Sequence, residues 1–359
     1  MKINKILISG GGTGGHIFPA IAIANSLKEK LPACTIEFVG AKGRMEMEKI
    51  PSAGYKIHGL WITGFQRNLS LKNLIFPLKL IFSIIKCYFI ILKFKPDVVI
   101  GTGGFASGPL LKMACLLKIP TLIQEQNSFA GVTNKLLGKK VNTICIGFEN
   151  AARYFPPFKC VFTGNPVRKS IISLPNKSNA LKNFELDEKY KTLLIIGGSL
   201  GAKSINEAIE SNLEIFNENK IQLLWQTGKN YTCQNKPKLG KVLKFIENMD
   251  DAYSAADIII SRAGAIAISE LCLVGKPVIL VPSPNVAEDH QTKNAMALVE
   301  KNAAIILKDN DLKNQISNEI LMLVNDENKQ AKLIDNIKKF AKPEATDSIV
   351  FEILKLLKN

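Results

Sequence analysis

Two glycine-rich stretches hold the residues best suited to chemistry: GGGTGGH from Gly10 to His16, and GGSLGA from Gly197 to Ala202. Each follows an apolar run, KILIS or TLLII, and each precedes a helix-forming segment. Glycines let backbone amides close around an anion, and the positive end of the next helix points at the same place. Both stretches therefore read as diphosphate cradles, one in each half of the chain.

Gly10, Gly12 and Gly15 also satisfy the spacing of a dinucleotide fingerprint, which wants an acid at the end of the second strand to hold a ribose. The second strand, TIEFVG, runs into Ala41, Lys42 and Gly43, and its acid, Glu37, lies inside the strand. A dinucleotide site is thus disfavoured.

The elements that position these loops repeat. Asp97-Val-Val-Ile-Gly-Thr-Gly-Gly resembles Asp257-Ile-Ile-Ile-Ser-Arg-Ala-Gly, and each is followed by a helix and then a strand entered through proline, at Pro120 and Pro277. Strand, glycine turn, helix and strand in series mean right-handed crossovers and parallel sheets, whose buried strands read as continuous apolar runs. Ligands of such sheets gather beyond the carboxyl ends of the strands, where the glycine turns lie. The fold class is α/β, with two Rossmann-like domains facing a cleft. The boundaries read as 1–164, 165–334 and a closing helical segment 335–359 that packs on the first domain.

A length of 359 residues suits two domains of ordinary size, and 47% hydrophobic residues suit layered α/β cores. The 47 Lys and Arg against 31 Asp and Glu give +16, which calls for an anionic partner. No zinc-knuckle or RNA-recognition pattern accompanies the charge, so nucleic acid is not expected. Cys34, Cys87, Cys115, Cys145, Cys160, Cys233 and Cys272 form no CxxC pair and read as reduced core residues. The N-terminus shows no cleavage-site pattern, which argues against secretion.

The segment 77–95, PLKLIFSIIKCYFIILKFK, is the most hydrophobic in the chain, yet lysines interrupt it too often for a membrane span. Lys79, Lys86 and Lys93 recur every seventh residue and form one stripe on a helix opened by Pro77 and ended by Pro96. Two readings stand: a core helix with a solvated lysine edge, or a helix resting on an anionic membrane surface.

Taken in order and spacing, GGGTGGHIFPA, KPDVVIGTGGFASGP, EQNSFAGVTNK, GNPVR, GGSLGAKSIN, FIENM, SRAGAIAISE and EDHQTKNA resemble the MurG-type peptidoglycan glycosyltransferases, over about Lys5 to Ala295. The chain departs from that pattern at Leu200, where the family commonly has Gln, and around Ser283 to Val286. The resemblance implies a GT-B fold and inverting, β-1,4-forming transfer of N-acetylglucosamine from UDP-GlcNAc to lipid I, giving lipid II at the cytoplasmic face of the inner membrane. It implies no cofactor, and peripheral attachment through the basic apolar helix.

Roles then fall on particular residues. Thr13, Gly14 and Gly15 resemble a loop touching donor sugar and acceptor, and Gly103 and Gly104 a site near the lipid pyrophosphate. The helix end beside His16 disfavours a second positive charge on the ring, so His16 is a candidate general base, with a purely structural hydrogen bond as the bland reading. Glu125 is the competing base. Asn127 resembles a nucleotide-sugar contact, or else bonds its own turn. Arg168 resembles a diphosphate clamp, or else is a surface arginine. Ser199 faces the β-phosphate or caps a helix. Ile246 offers backbone groups to uracil or is core. Ala265 and Ile266 open a helix whose amides can meet phosphate, and Glu270 can accept from ribose hydroxyls. Gln291 and Asn294 share a helix face and can read sugar hydroxyls, or are ordinary cap and surface residues. Of metal motifs there is only Asp309-Asn310-Asp311, which reads as a turn, so no metal is expected. The rival enzyme readings are a GT-B transferase with another acceptor and a UDP-sugar epimerase; a basic membrane scaffold is the non-enzymatic one.

Overall fold

A computed structural model of the chain describes residues 4–64 and 74–358. It divides into two compact units, residues 1–167 with 344–359, and residues 168–343.

In the first unit the elements run β1 (Lys5–Ser9), α1 (Gly14–Lys30), β2 (Thr35–Ala41), α2 (Glu46–Ser52), β3 (Lys56–Leu60), α3 (Phe76–Phe94), β4 (Val98–Gly101), α4 (Ser107–Leu116), β5 (Thr121–Glu125), α5 (Val132–Gly138), β6 (Thr143–Ile146) and β7 (Cys160–Phe162). The strands form one parallel sheet in the order β3-β2-β1-β4-β5-β6-β7. One face packs Ile6, Ile8 and Ile100 against Ile17 and Ile23 of α1, and the other packs Leu7, Val99 and Ile123 against Leu110 and Leu111 of α4.

The second unit runs α6 (Lys177–Asn183), β8 (Lys191–Ile196), α7 (Lys203–Ser211), α8 (Leu213–Glu218), β9 (Ile221–Gln226), β10 (Gly240–Leu243), α9 (Met249–Ala255), β11 (Ile258–Ser261), α10 (Ala265–Val274), β12 (Val278–Leu280), α11 (His290–Val299), β13 (Ile305–Ile306), α12 (Leu312–Asn325) and α13 (Glu327–Lys338). Its parallel sheet has the order β10-β9-β8-β11-β12-β13. The last helix, α14 (Ala345–Lys358), belongs to the first unit and seats Ile349, Val350 and Ile353 in the core beside α1. The return falls at 344 and not at 335, because α13 packs on α10, with the Lys338 side chain against Gly275.

The sequence repeat has a structural basis. The Asp97 carboxylate accepts the Lys5 amide at 2.8 Å, fixing the start of β1 against β4, and the Asp257 carboxylate accepts the Thr192 amide at 2.9 Å between β8 and β11. Each pair of central strands is where chain order reverses, the place where such sheets bind ligands.

All seven cysteines are free thiols. Burial pushes the thiols of Cys87 and Cys272 up to about 12 and that of Cys145 up as well, which makes them inert packing groups.

Pro77 lies in the first turn of α3, and Lys95 ends the helix in a left-handed conformation, φ 56°. Its packing overturns the reading of a core helix with a solvated lysine edge. Only Ser83, Cys87, Ile90 and Ile91 are buried, while Leu78, Ile81, Phe82, Ile85, Phe89 and Leu92 are 46–61% exposed. The lysines share this exposed side, Lys86 and Lys93 lining one groove with Phe82, Ile85 and Phe89, while Lys86 donates to the Gly59 carbonyl at 2.7 Å and Lys79 lies 5.6 Å from the centre of the Trp61 ring. No described helix is long and apolar enough to cross a membrane.

Candidate active site

In the first unit the turns after β1 and β4 interlock. A side-chain carbon on Gly104 (φ +82°) would lie 2.2 Å from the Gly11 carbonyl oxygen, so only glycine allows the two turns to meet. The His16 ring sits at this junction, so close to Gly103 that a β-carbon there would lie 2.9 Å from Nε2. His16 Nδ1 lies 3.1 Å from the Gly11 carbonyl oxygen, and Thr102 Oγ1 donates to the His16 carbonyl at 2.8 Å. The Thr13 hydroxyl also lies 3.4 Å from Nδ1, but the nearer carbonyl can only accept, which favours hydrogen on Nδ1. Thr13 and Gly15 are exposed, and Gly14 is partly so.

Gly12 does not offer its amide to a phosphate. That N–H donates to Glu46 Oε2 at 3.0 Å, so an internal carboxylate occupies part of the cradle that glycine spacing implies. The first loop is therefore not equivalent to the second, and Glu46 is a residue the sequence reading passed over.

Glu125 is 1% exposed and fully engaged. Its carboxylate accepts from the amides of Asn127 and Gly131 at 3.0 and 2.9 Å, from Asn134 Nδ2 at 2.8 Å and from Asn127 Nδ2 at 3.3 Å. This arrangement shapes the turn after β5 and engages both carboxylate oxygens from within the protein. Asn127 thus does bond its own turn. Gln126 Nε2 and Asn165 Nδ2 extend the network, donating to the Thr102 and Gln126 carbonyls at 2.7 and 2.9 Å.

In the second unit, Gly197 to Ala202 form the turn after β8, with Gly198 and Gly201 at φ +85° and +78°. Ser199 is exposed there, and α7 begins only after Ala202, so Ser199 is not its cap. Gly264 precedes α10 with open space around its α-carbon, and Ala265 and Ile266 form the first helical positions. Turns of this kind, at the N-terminal side of a helix, suit phosphate oxygens.

Glu270, two turns into α10, is 7% exposed. Arg168 Nε donates to one of its oxygens and the Tyr253 hydroxyl to the other, each at 3.0 Å. Burial raises the Glu270 carboxyl above the usual carboxylate range, and the Arg168 charge pulls partly against it. Arg168 is accordingly no unattached surface arginine.

Three expectations meet occupied groups. The Ile246 amide donates to Gln226 Oε1 at 2.8 Å. Gln291 Oε1 accepts the Ser283 amide at 2.8 Å. Asn294 is 0% exposed, with Nδ2 3.4 Å from the Ala263 carbonyl under the turn that opens α10, so it is neither a cap nor a surface residue.

Asp309 of the Asp-Asn-Asp motif is held by Arg262, and Ser204 Oγ donates to it at 2.7 Å. Among the described residues no three His, Cys, Asp or Glu side chains are grouped to hold a metal ion. A groove of about 750 Å³ lies beside α3, where Trp61, Phe82, Ile85 and Phe89 face Lys42 and Lys56.

Two parallel sheets of this strand order, each with glycine turns at its switch point, are those of a GT-B glycosyltransferase. Residues 6–146 match the glycosyltransferase family 28 N-terminal domain and residues 192–349 the family 28 C-terminal domain. The chain belongs to this family, in its MurG branch. A UDP-N-acetylglucosamine–N-acetylmuramyl-(pentapeptide) pyrophosphoryl-undecaprenol N-acetylglucosamine transferase of Flavobacterium psychrophilum is 54% identical over 364 residues, 100% of this chain and 99% of that one. The protein of the same name from Cytophaga hutchinsonii is 54% identical over 99% of this chain and 98% of its own. Among solved structures, MurG of Acinetobacter baumannii superposes with a TM-score of 0.80 at 30% identity, covering 98% of this chain and 99% of that one.

Proposed function

We propose that this chain transfers N-acetylglucosamine from UDP-GlcNAc to lipid I with inversion, forming lipid II for peptidoglycan assembly and so serving cell shape and division. Full-length identity to transferases of that name supports the reaction. The observation that carries the mechanism is the His16 ring held over two interlocked glycine turns.

The roles divide by unit. In the first, His16 Nε2 takes the proton from the acceptor hydroxyl, the turn at Thr13, Gly14 and Gly15 meets the reacting sugars, and the amides at Gly103 and Gly104 meet the lipid pyrophosphate. In the second, Ser199 and the α10 turn at Ala265 and Ile266 receive the diphosphate, the Ile246 carbonyl the uracil, and Glu270 the ribose. Arg168 balances charge on the departing UDP, as preorganised groups in such sites do. Asn127 and Asn294 act by holding their turns, and Gln291 by fixing Ser283 beside the sugar. None of these steps calls for a cofactor.

The purified protein is expected to move labelled N-acetylglucosamine onto a lipid I analogue and to release UDP only when that acceptor is present. Consumption of UDP-GlcNAc without acceptor would instead indicate an epimerase.

We further infer that α3 rests on the anionic cytoplasmic face of the inner membrane. Its outward Phe, Ile and Leu side chains enter the interface, where each buried side chain contributes about 1.5–3 kcal/mol, and Lys79, Lys86 and Lys93 add about 1 kcal/mol each near anionic headgroups. Replacing the three lysines with glutamate is expected to weaken sedimentation with acidic-lipid vesicles by at least about 100-fold. Replacing Phe82 and Phe89 with serine should weaken it on neutral vesicles too. Unchanged sedimentation of both variants would exclude the membrane role.

A further inference from the structure

Glu46, at the start of α2, is 0% exposed, yet none of the chemistry above uses it. Its two oxygens both accept backbone amides: Oε1 from Ala41 at the end of β2, and Oε2 from Gly12, each at 3.0 Å. The Gly12 N–H and the Gly11 C=O belong to one peptide group. That carbonyl is the one His16 Nδ1 faces at 3.1 Å.

The geometry points to a carboxylate–peptide–histidine relay in which Glu46 is a positioning residue for His16. A planar peptide transmits the effect, because a carboxylate drawing on its N–H strengthens the carbonyl as an acceptor, and hydrogen bonds in series reinforce one another by about 10–30% each. The same contact holds the 11–12 peptide in place, and the space confirms how tight it is: a β-carbon on Gly11 would lie 2.2 Å from Glu46 Oε1. Glu46 thereby fixes both the direction of the ring and the tautomer with hydrogen on Nδ1. This is the work a buried aspartate does by direct contact in a serine hydrolase triad, performed here across one peptide bond. It also gives the first glycine loop its own meaning: the site of an anion is filled from within, and the loop serves as a mount for the histidine.

The inference rests on His16 being the base, and the test separates the two. Glu46→Gln keeps the size of the side chain but presents only one acceptor oxygen to two amides. It is expected to lower kcat by about 10- to 100-fold with the KM for UDP-GlcNAc within twofold, the size of effect that misplacing a reacting group produces. In a His16→Ala background the same substitution should cost nothing further, whereas a general structural loss would multiply. Multiplicative losses would overturn the relay.

A second reading needs no turnover. The chain has three histidines, His16, His58 and His290, so the ring nitrogen signals of His16 can be assigned by single substitutions. Nitrogen-15 spectra of the resting protein should show His16 with hydrogen on Nδ1, and Glu46→Gln should shift it toward the Nε2 tautomer. An unchanged tautomer would overturn the relay even if His16 is the base. Full activity of His16→Ala would overturn the base while this spectrum still decides the relay.

Discussion

Replacing His16 with alanine is expected to lower kcat by about 10³-fold, in the range for loss of a positioned general base, with little change in the KM for UDP-GlcNAc. The loss should fall on kcat because the ring is mounted on the glycine turns of the first unit, beside Gly11, Thr13 and Gly103. Stability should change little, since removing the ring leaves the Gly104 to Gly11 approach and the Thr102 bond to the His16 carbonyl intact. Glu125→Ala is the control that separates the rival bases. It strands the amides of Asn127 and Gly131 and the Asn134 side chain in the interior, and each unsatisfied buried group costs about 1–3 kcal/mol. That variant should therefore unfold at a lower temperature and lose kcat and KM together. Paired steady-state kinetics and thermal unfolding check both. Near-normal turnover in His16→Ala, with an abolished but fully stable Glu125→Ala, would reverse the assignment.

These contrasts track what was readable in the chain. Glycine loops, the repeated Asp-led strands and the proline-entered strands are local patterns, and each appeared where it was expected because backbone conformation and burial are encoded over a few residues. Long-range partnership is not. Glu46 sits in GRMEMEKIP as an ordinary acid of a helix start, and only the approach of β1 and β2 brings its carboxylate to Gly12, 34 positions away. Tyr253 and Arg168 reach Glu270 from α9 and from the segment after the first unit, and neither spacing announces it. Asn294 looked outward from a helix face that proved to be its buried one. In α3 the lysine stripe and the apolar residues around it were legible, but which of them the fold would bury was not: that depends on the packing of Ser83, Cys87, Ile90 and Ile91, and the rest of the apolar side chains stay exposed.

The second large effect belongs to Glu270. Glu270→Gln is expected to raise the KM for UDP-GlcNAc by about 10- to 100-fold, since a hydrogen bond to a charged acceptor contributes roughly 1.5–3 kcal/mol and the amide offers one acceptor where the carboxylate offers two. The same change should act oppositely on stability. Burial raises the Glu270 carboxyl in the folded protein, so the folded state holds its proton more tightly than the unfolded chain does. The stability this contributes is complete below the ordinary glutamate value and is lost as pH rises through the raised one, so at neutral pH the ionised group is a net burden. Arg168 relieves it only in part, its side chain being 49% exposed and its charge screened by water. Glutamine keeps an oxygen for Arg168 and an amide for the Tyr253 hydroxyl without a buried charge. Thermal unfolding of the two proteins should then diverge as pH is raised from 4 to 8, with the glutamine form the more stable at the upper end and the weaker for UDP throughout. A glutamine variant that binds UDP-GlcNAc normally would remove Glu270 from the ribose. One that is less stable at pH 8 would make the Arg168 pair the stronger term, and the carboxylate a structural residue first.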